Sequence, residues 1–224
     1  MIAAARDCSW VLSCLTLITA NPSFAADKRL AQAQLIQKSA DMSISGTFDL
    51  SCSPTIFEKL MAAPMLLARL YEVYGFSPHY KVRMQGNAIH VNDPTGIVGD
   101  LYLIEQTADR RVYLGIGALN HSLVPAFKGK MTLILTTYPK GSTLTTRVDV
   151  YIRTDSRTLG FLARTLFPLV KARVENRMTV NAHDIGTIIA DVSAAPDRVA
   201  ARLKKEDAAT LLNLVPPRPA AMRR

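Results

Sequence analysis

Between Ser156 and Val192 apolar residues recur in steps of three and four. They run as Leu159, Leu162, Leu166, Leu169, Val170 and Val174, then as Val180, Ile185, Ile188, Ile189 and Val192. That spacing puts one apolar stripe on one face of a helix. Arg157, Arg164, Lys171, Arg173, Arg177 and Asp184 fall mostly off the stripe. Asp155 or Ser156 can cap the start by accepting from an otherwise unpaired backbone N–H. Ala195-Pro196 marks the stop, because the residue before a proline avoids helical backbone angles. Pro168 removes one backbone bond and crowds the preceding turn, so a kink is expected near Arg164 and Thr165. A stripe of this length needs a broad apolar surface to lie on.

The residues upstream supply that surface. Met42, Ile44, Phe48 and Leu50 alternate with polar residues, as in a half-buried strand. Ser51 or Ser53, with Pro54 behind it, opens a short helix that carries Ile56, Phe57, Leu60 and Met61. Pro64 breaks it. A second helix runs from Met65 to Tyr74 and closes at Gly75. Strand-like runs follow at 80–84, 88–91, 97–106, 111–119, 130–138 and 144–153, separated by Gly, Asn, Asp and Pro turn signals. Such short connections favour antiparallel pairing, since parallel neighbours need long crossovers. Met131, Leu133, Leu135 and Thr137 share one face of their strand, and Leu144, Thr146, Val148, Val150 and Ile152 share one face of the next. Arg147 and Asp149 fall on the opposite, solvent face; an exposed pair of that kind contributes only about 0–1 kcal/mol. Gly115 and Gly117 within a strand point to strong bending or to a close approach by something else.

With 224 residues, 49% hydrophobic and 20% charged, the chain suits one well-filled globular domain. Met1 to Ala25 reads as a secretory signal: Arg6 in a short n-region, an apolar core from Trp10 to Ala20, and Ser23-Phe24-Ala25 before cleavage. The mature chain is then expected in the periplasm or outside a bacterium. Cys8 and Cys14 leave with the signal, and Cys52 stays as a small buried hydrophobe. Residues 26–41 form a polar, alanine-rich leader, either a short helix or a mobile segment. From Pro196 the character changes, to a short amphipathic stretch over 197–207 and a basic, Pro-rich tail ending at Arg224. The net charge of +9 suits an anionic partner. No nucleic-acid signature accompanies it.

The order is one strand, two short helices, about six antiparallel strands and a late long helix. With Ser53-Pro-Thr-Ile-Phe-Glu-Lys-Leu60, the strand Gly141-Ser-Thr-Leu-Thr-Thr-Arg-Val-Asp-Val-Tyr-Ile152 and the helix from Ser156, it resembles the START/Bet v 1-like (SRPBCC) superfamily. The resemblance covers residues 42–195. It implies an α+β helix-grip fold, in which a curved antiparallel sheet wraps the long helix and encloses a cavity. Members of the superfamily bind lipids, sterols, polyketides or plant hormones, and a minority are enzymes. A lipoprotein carrier built as an unclosed barrel is a rival architecture that a late long helix fits less well.

On that resemblance the cavity is expected to be lined by Leu101, Leu103, Met131, Leu133, Leu135, Val148, Val150, Phe161, Leu162 and Leu166. Its polar groups would come from His90, Tyr113, Arg173 and Arg177, and its mouth from Tyr71, Tyr74, Phe76 and Tyr80. Arg173 and Arg177, one turn apart, can hold a phosphate or carboxylate jointly; a solvated helix face is the plainer reading. The expected function is an exported binder of a hydrophobic or amphipathic, lipid-like small molecule, with no cofactor and no metal. A first alternative is a polyketide cyclase or dehydratase-like enzyme using His90, Tyr113 or Asp100. A second is an envelope adaptor that docks on anionic membranes through Arg198, Arg202, Lys204, Lys205, Arg218, Arg223 and Arg224. No nucleophile elbow, zinc-protease motif or phosphate loop is present.

Overall fold

The computed structural model describes residues 22–77, 79–94, 96–121, 124–141 and 143–217. Most of the segment read as a signal, residues 1–21, lies outside the described residues, as do Arg218, Arg223 and Arg224. Helix α1 (Pro22–Lys38) leads into strand β1 (Met42–Leu50), then α2 (Pro54–Met61) and α3 (Pro64–Tyr74). Six strands follow: β2 (Lys81–Gln85), β3 (Ala88–Asn92), β4 (Ile97–Gln106), β5 (Arg110–His121), β6 (Val124–Lys140) and β7 (Thr143–Thr154). The long helix α4 (Arg157–Ala194) comes next, with α5 (Pro196–Ala200) and α6 (Lys205–Leu214) behind it.

Local chemistry sets the punctuation. The Ser53 hydroxyl accepts from the Ile56 N–H at 3.5 Å, and Pro54 fills the first turn of α2. Pro64 opens α3, and Gly75 ends it in the left-handed region at φ 69°. Helix α4 continues on both sides of Pro168 for 38 residues.

The strands form one seven-stranded antiparallel sheet in the order β1-β7-β6-β5-β4-β3-β2. The first strand thus pairs with the last, Met42 opposite Ile152 and Leu50 opposite Leu144. With α4 held against one face, this is the helix-grip fold. Residues opposite one another across a ladder share a face, so the register assigns every strand. Ile44, Val150, Leu133, Tyr113 and Leu103 lie on the inner face, toward α4. Ser45, Asp149, Ile134 and Val112 lie on the outer one.

The inner face is packed solid at one end. Leu50, Leu135 and Leu144 meet Phe57 and Leu60 of α2, Leu66 and Leu70 of α3, and Ile188, Ile189 and Val192 of α4. Val199, Ala200, Leu211 and Val215 complete the cluster. Residues 196–215, read from sequence as the approach to a tail, therefore belong to the same core. Their apolar positions are too few per helix to stand out in a basic, alanine-rich stretch, yet Leu211 is fully buried.

Helix α4 runs along β1. A side chain at Gly160 would strike Asp41, Met178 reaches over Gly46, and Gly186 sits against Leu50. Asp41 ties the start of this run: its carboxylate accepts from the Thr154 N–H and hydroxyl, each at 2.9 Å, and lies 3.4 Å from Arg164. Beyond the packed end Phe161 is 66% exposed, and Leu162, Val174 and Val180 are exposed as well.

Most of the leader is helical: α1 runs from Pro22, inside the segment read as the signal, to Lys38 and lies on the outer face. Ala33 and Ile36 are buried there; the Ala33 carbonyl accepts from the buried Thr132 hydroxyl at 3.0 Å, and Arg29 lies 4.1 Å over the Tyr102 ring. Nearby, burial opposes ionisation of Asp149. The hydrogen bonds from Arg147 and Ser45 outweigh it and hold the carboxyl below its usual range.

Two outcomes follow for the ways the helices are held. Ile36→Ala opens a void between α1 and the sheet and is expected to cost about 2–4 kcal/mol; an unchanged urea midpoint would detach α1 from the fold. Asp184 of α4 is buried, and its carboxyl is raised by burial, with Arg177 and His183 pulling the other way. A raised carboxyl contributes stability that is fully present below the ordinary carboxylate range and is lost as pH rises through the raised value. Asp184→Asn is therefore expected to raise the urea midpoint at pH 7, and to lose that advantage toward pH 3. An equal gain at both pH values would place the effect elsewhere.

Candidate functional site

Away from the packed end, the inner face is open. A cavity of about 290 Å³ lies over the middle strands. Leu101, Met131, Ile97, Phe127, Val91 and Ile152 contribute its apolar walls. Its floor is backbone. Gly99, Gly117 and Gly129 stand opposite one another across β4, β5 and β6. A Cβ at Gly117 would come within 2.4 Å of the Val98 carbonyl oxygen, and one at Gly99 within 2.6 Å of that of Ile116. Neighbouring backbone is thus too close for any side chain, which accounts for the glycines that the sequence places inside a strand. At Gly115, Met131 and Leu101 lean into the space a Cβ would need.

The expected lining residues divide by position along the sheet. Leu101 and Met131 line this cavity. Leu133, Val148 and Val150 lie farther along the inner face and are half-buried, and Leu135 is locked in the packed core. Leu103 shares that face but is 44% exposed. Phe161 and Leu162 lie on the uncovered half of α4. The side chains of Leu166 and Arg173 lie outside the described residues.

The polar groups separate as well. Tyr113 is inner and buried, and burial raises its hydroxyl, with Arg111 opposing and Glu58 adding to the shift. Next to it on β5, Arg111 is 3% exposed and meets Glu58 of α2 at 2.5 Å. Sequence reading missed this pair. The signal available was Arg111 at an inner position of an alternating strand, where a charge needs a partner. His90 and Asp100 are opposite one another on the outer face, 2.7 Å apart. The register therefore puts them on the far side of the sheet from Tyr113, so these three acid–base candidates do not converge.

Tyr71, Tyr74, Phe76 and Tyr80 do cluster, with Tyr71 edge-on to Phe76 at 5.6 Å and to Tyr80 at 6.1 Å. Hydrogen bonds fix them to α4. The Tyr71 hydroxyl donates to the Asn181 carbonyl at 3.0 Å, and Tyr74 donates to Asp191 at 2.9 Å. Arg177 donates to the Tyr80 hydroxyl at 2.9 Å and to the Ser77 carbonyl. Arg177 is thus a tie between α4 and the segment before β2. Burial and the bond to Asp191 push the Tyr74 hydroxyl up to about 12. Cys52 is buried, with its thiol pushed up to about 11 by the loss of solvent, so it stays protonated and unreactive at neutral pH.

No protein-family profile matches the chain, and no curated protein matches it. Solved structures do. A conserved protein from Geobacillus kaustophilus matches with a TM-score of 0.49 at 12% identity, over 67% of this chain and 97% of that one. Norcoclaurine synthase from Thalictrum flavum matches with a TM-score of 0.47 at 10% identity, over 67% of this chain and 87% of its own. CalU16 from Micromonospora echinospora matches with a TM-score of 0.34 at 13% identity, over 77% and 87%. These likenesses are loose. The helix-grip assignment stands on the element order and strand pairing described above.

Proposed function

We propose that the protein is an exported binder of a hydrophobic or amphipathic small molecule, held over the glycine floor between the sheet and the first half of α4. One observation carries the reading: an apolar cavity of about 290 Å³ lies on the inner face beside the packed core. A soluble protein gains by filling such a space, and a volume near the lower end of ligand pockets fits one acyl chain or a small ring system. Burying about 200 Å² of apolar ligand surface there contributes on the order of 5 kcal/mol. The exposed Phe161 and Leu162 supply further apolar surface on the helix for a ligand longer than the cavity. Export is proposed from Arg6, the apolar run Trp10 to Ala20 and Ser23 to Ala25, which have the order of a secretory signal.

Purification from the periplasm of an expressing host, followed by native mass spectrometry, tests the reading. A non-covalent adduct of lipid-like mass is expected, and delipidated protein should bind a fluorescent fatty-acid analogue. Leu101→Arg puts a charge into the cavity wall and is expected to weaken that binding at least about tenfold, since a buried unpaired charge is costly. Wild-type protein that neither carries an adduct nor binds the analogue, or binding that Leu101→Arg leaves intact, would overturn the proposal.

A further inference from the structure

The outer face of the same strands carries a second feature. Beyond α1, two adjacent cross-strand rows are uncovered. In one, Lys81 and Lys128 stand at the two ends, and Val98 near the centre is 40% exposed. In the next, Arg83 stands at one end and Lys130 and Arg153 at the other, with Ile116, 41% exposed, between them. The carboxylate within these rows is Asp100, already held by His90 at 2.7 Å. Lys81, Arg83, Lys128 and Lys130 form no ion pair among the described residues. The result is a centre of Val98, Ala118 and Ile116, with Asn92 and the His90–Asp100 pair beside them, and cations at both flanks, spread over β2 to β7, or about 24 Å at ordinary strand spacing.

We propose that this outer-face patch docks the protein on an anionic lipid surface. The cations sit at headgroup level, and Val98 and Ile116 press into the apolar boundary between them. Charge complementarity selects the occupant. A second copy meeting the patch with its own would set cation against cation. The ring at the centre is that of His90, which is 20% exposed and held by Asp100, so bases find little to stack on. The inference goes beyond ligand binding and does not depend on it, because the patch and the cavity lie on opposite faces of the sheet.

Flotation of the protein recovered from the periplasm of an expressing host with vesicles of phosphatidylcholine and phosphatidylglycerol in a 7:3 ratio tests this, against vesicles of phosphatidylcholine alone. Binding is expected only to the anionic vesicles, and it should fall as salt is raised from about 50 to 500 mM. Lys128→Glu with Lys130→Glu should weaken it at least about tenfold. Val98→Ser with Ile116→Ser should weaken it at constant charge. Lys204→Glu with Lys205→Glu changes the net charge by the same amount on α6 and its lead-in, and should leave binding in place. Equal loss from both lysine pairs would reduce the effect to net charge and overturn the patch. So would unchanged binding in the Lys128/Lys130 and Val98/Ile116 variants, or displacement from vesicles by short duplex DNA through the same lysines. The readout is protein on vesicles, so an empty cavity leaves the test intact.

Discussion

Ile188, Ile189 and Val192 are fully buried, and most of the molecule is arranged to keep them so. They belong to a 38-residue helix that could not hold its place over a sheet by backbone bonding alone. Helices α2 and α3 roof one side of them, α5 and α6 close the other, and Leu50, Leu135 and Leu144 form the surface beneath. Each of those side chains is worth roughly 1.5–3 kcal/mol on burial. This end therefore fixes the angle at which α4 leaves the core. The cavity is what remains where that packing stops.

The opposite end of the helix is held by polar contacts. Asp41 accepts from Thr154 and faces Arg164, which joins the start of β1 to the junction of β7 and α4. Midway, Arg177, Asn181 and the aromatic cluster tie α4 to the approach of β2. The helix is thus clamped at one end, tied midway and pinned at the other, with Phe161, Leu162 and Val174 exposed along it. A helix held this way can leave a cavity open without falling into it. The buried Arg111 guanidinium is compensated by the half-buried Glu58 carboxylate at 2.5 Å, which offsets the cost of taking that charge out of water.

The helix-grip order was legible because periodicity and turn residues report local structure directly. The six later strands, the paired helices around Pro64, the Gly75 cap and the stop at Pro196 all carry signals within a few residues. Faces were harder to read. Strand alternation separates Tyr113 from Val112, but only the pairing register shows that His90 and Asp100 share the outer side. Helix α1 was ambiguous for another reason: Ala33 and Ile36 are a narrow apolar stripe in a polar stretch, and their burial depends on an outer sheet face whose own apolar residues, such as Val112 and Ile134, come far later in the chain. In the same way, Arg177 and Asp184 fall off the apolar stripe, and only tertiary partners reveal them as buried or bonded. Leu135 is cavity lining on the family resemblance, and its place in the packed core cluster decides otherwise.

Gly99, Gly117 and Gly129 give the cavity a floor without side chains, and the close approach of neighbouring backbone leaves no room to add one. A ligand resting there would touch carbonyl and Cα atoms, which are the same whatever the sequence. Selectivity can then be adjusted only at the walls, through Leu101, Met131, Phe127 and Ile152. The floor supplies shape. Substitutions at the walls can therefore reshape the cavity while leaving the backbone floor as it is.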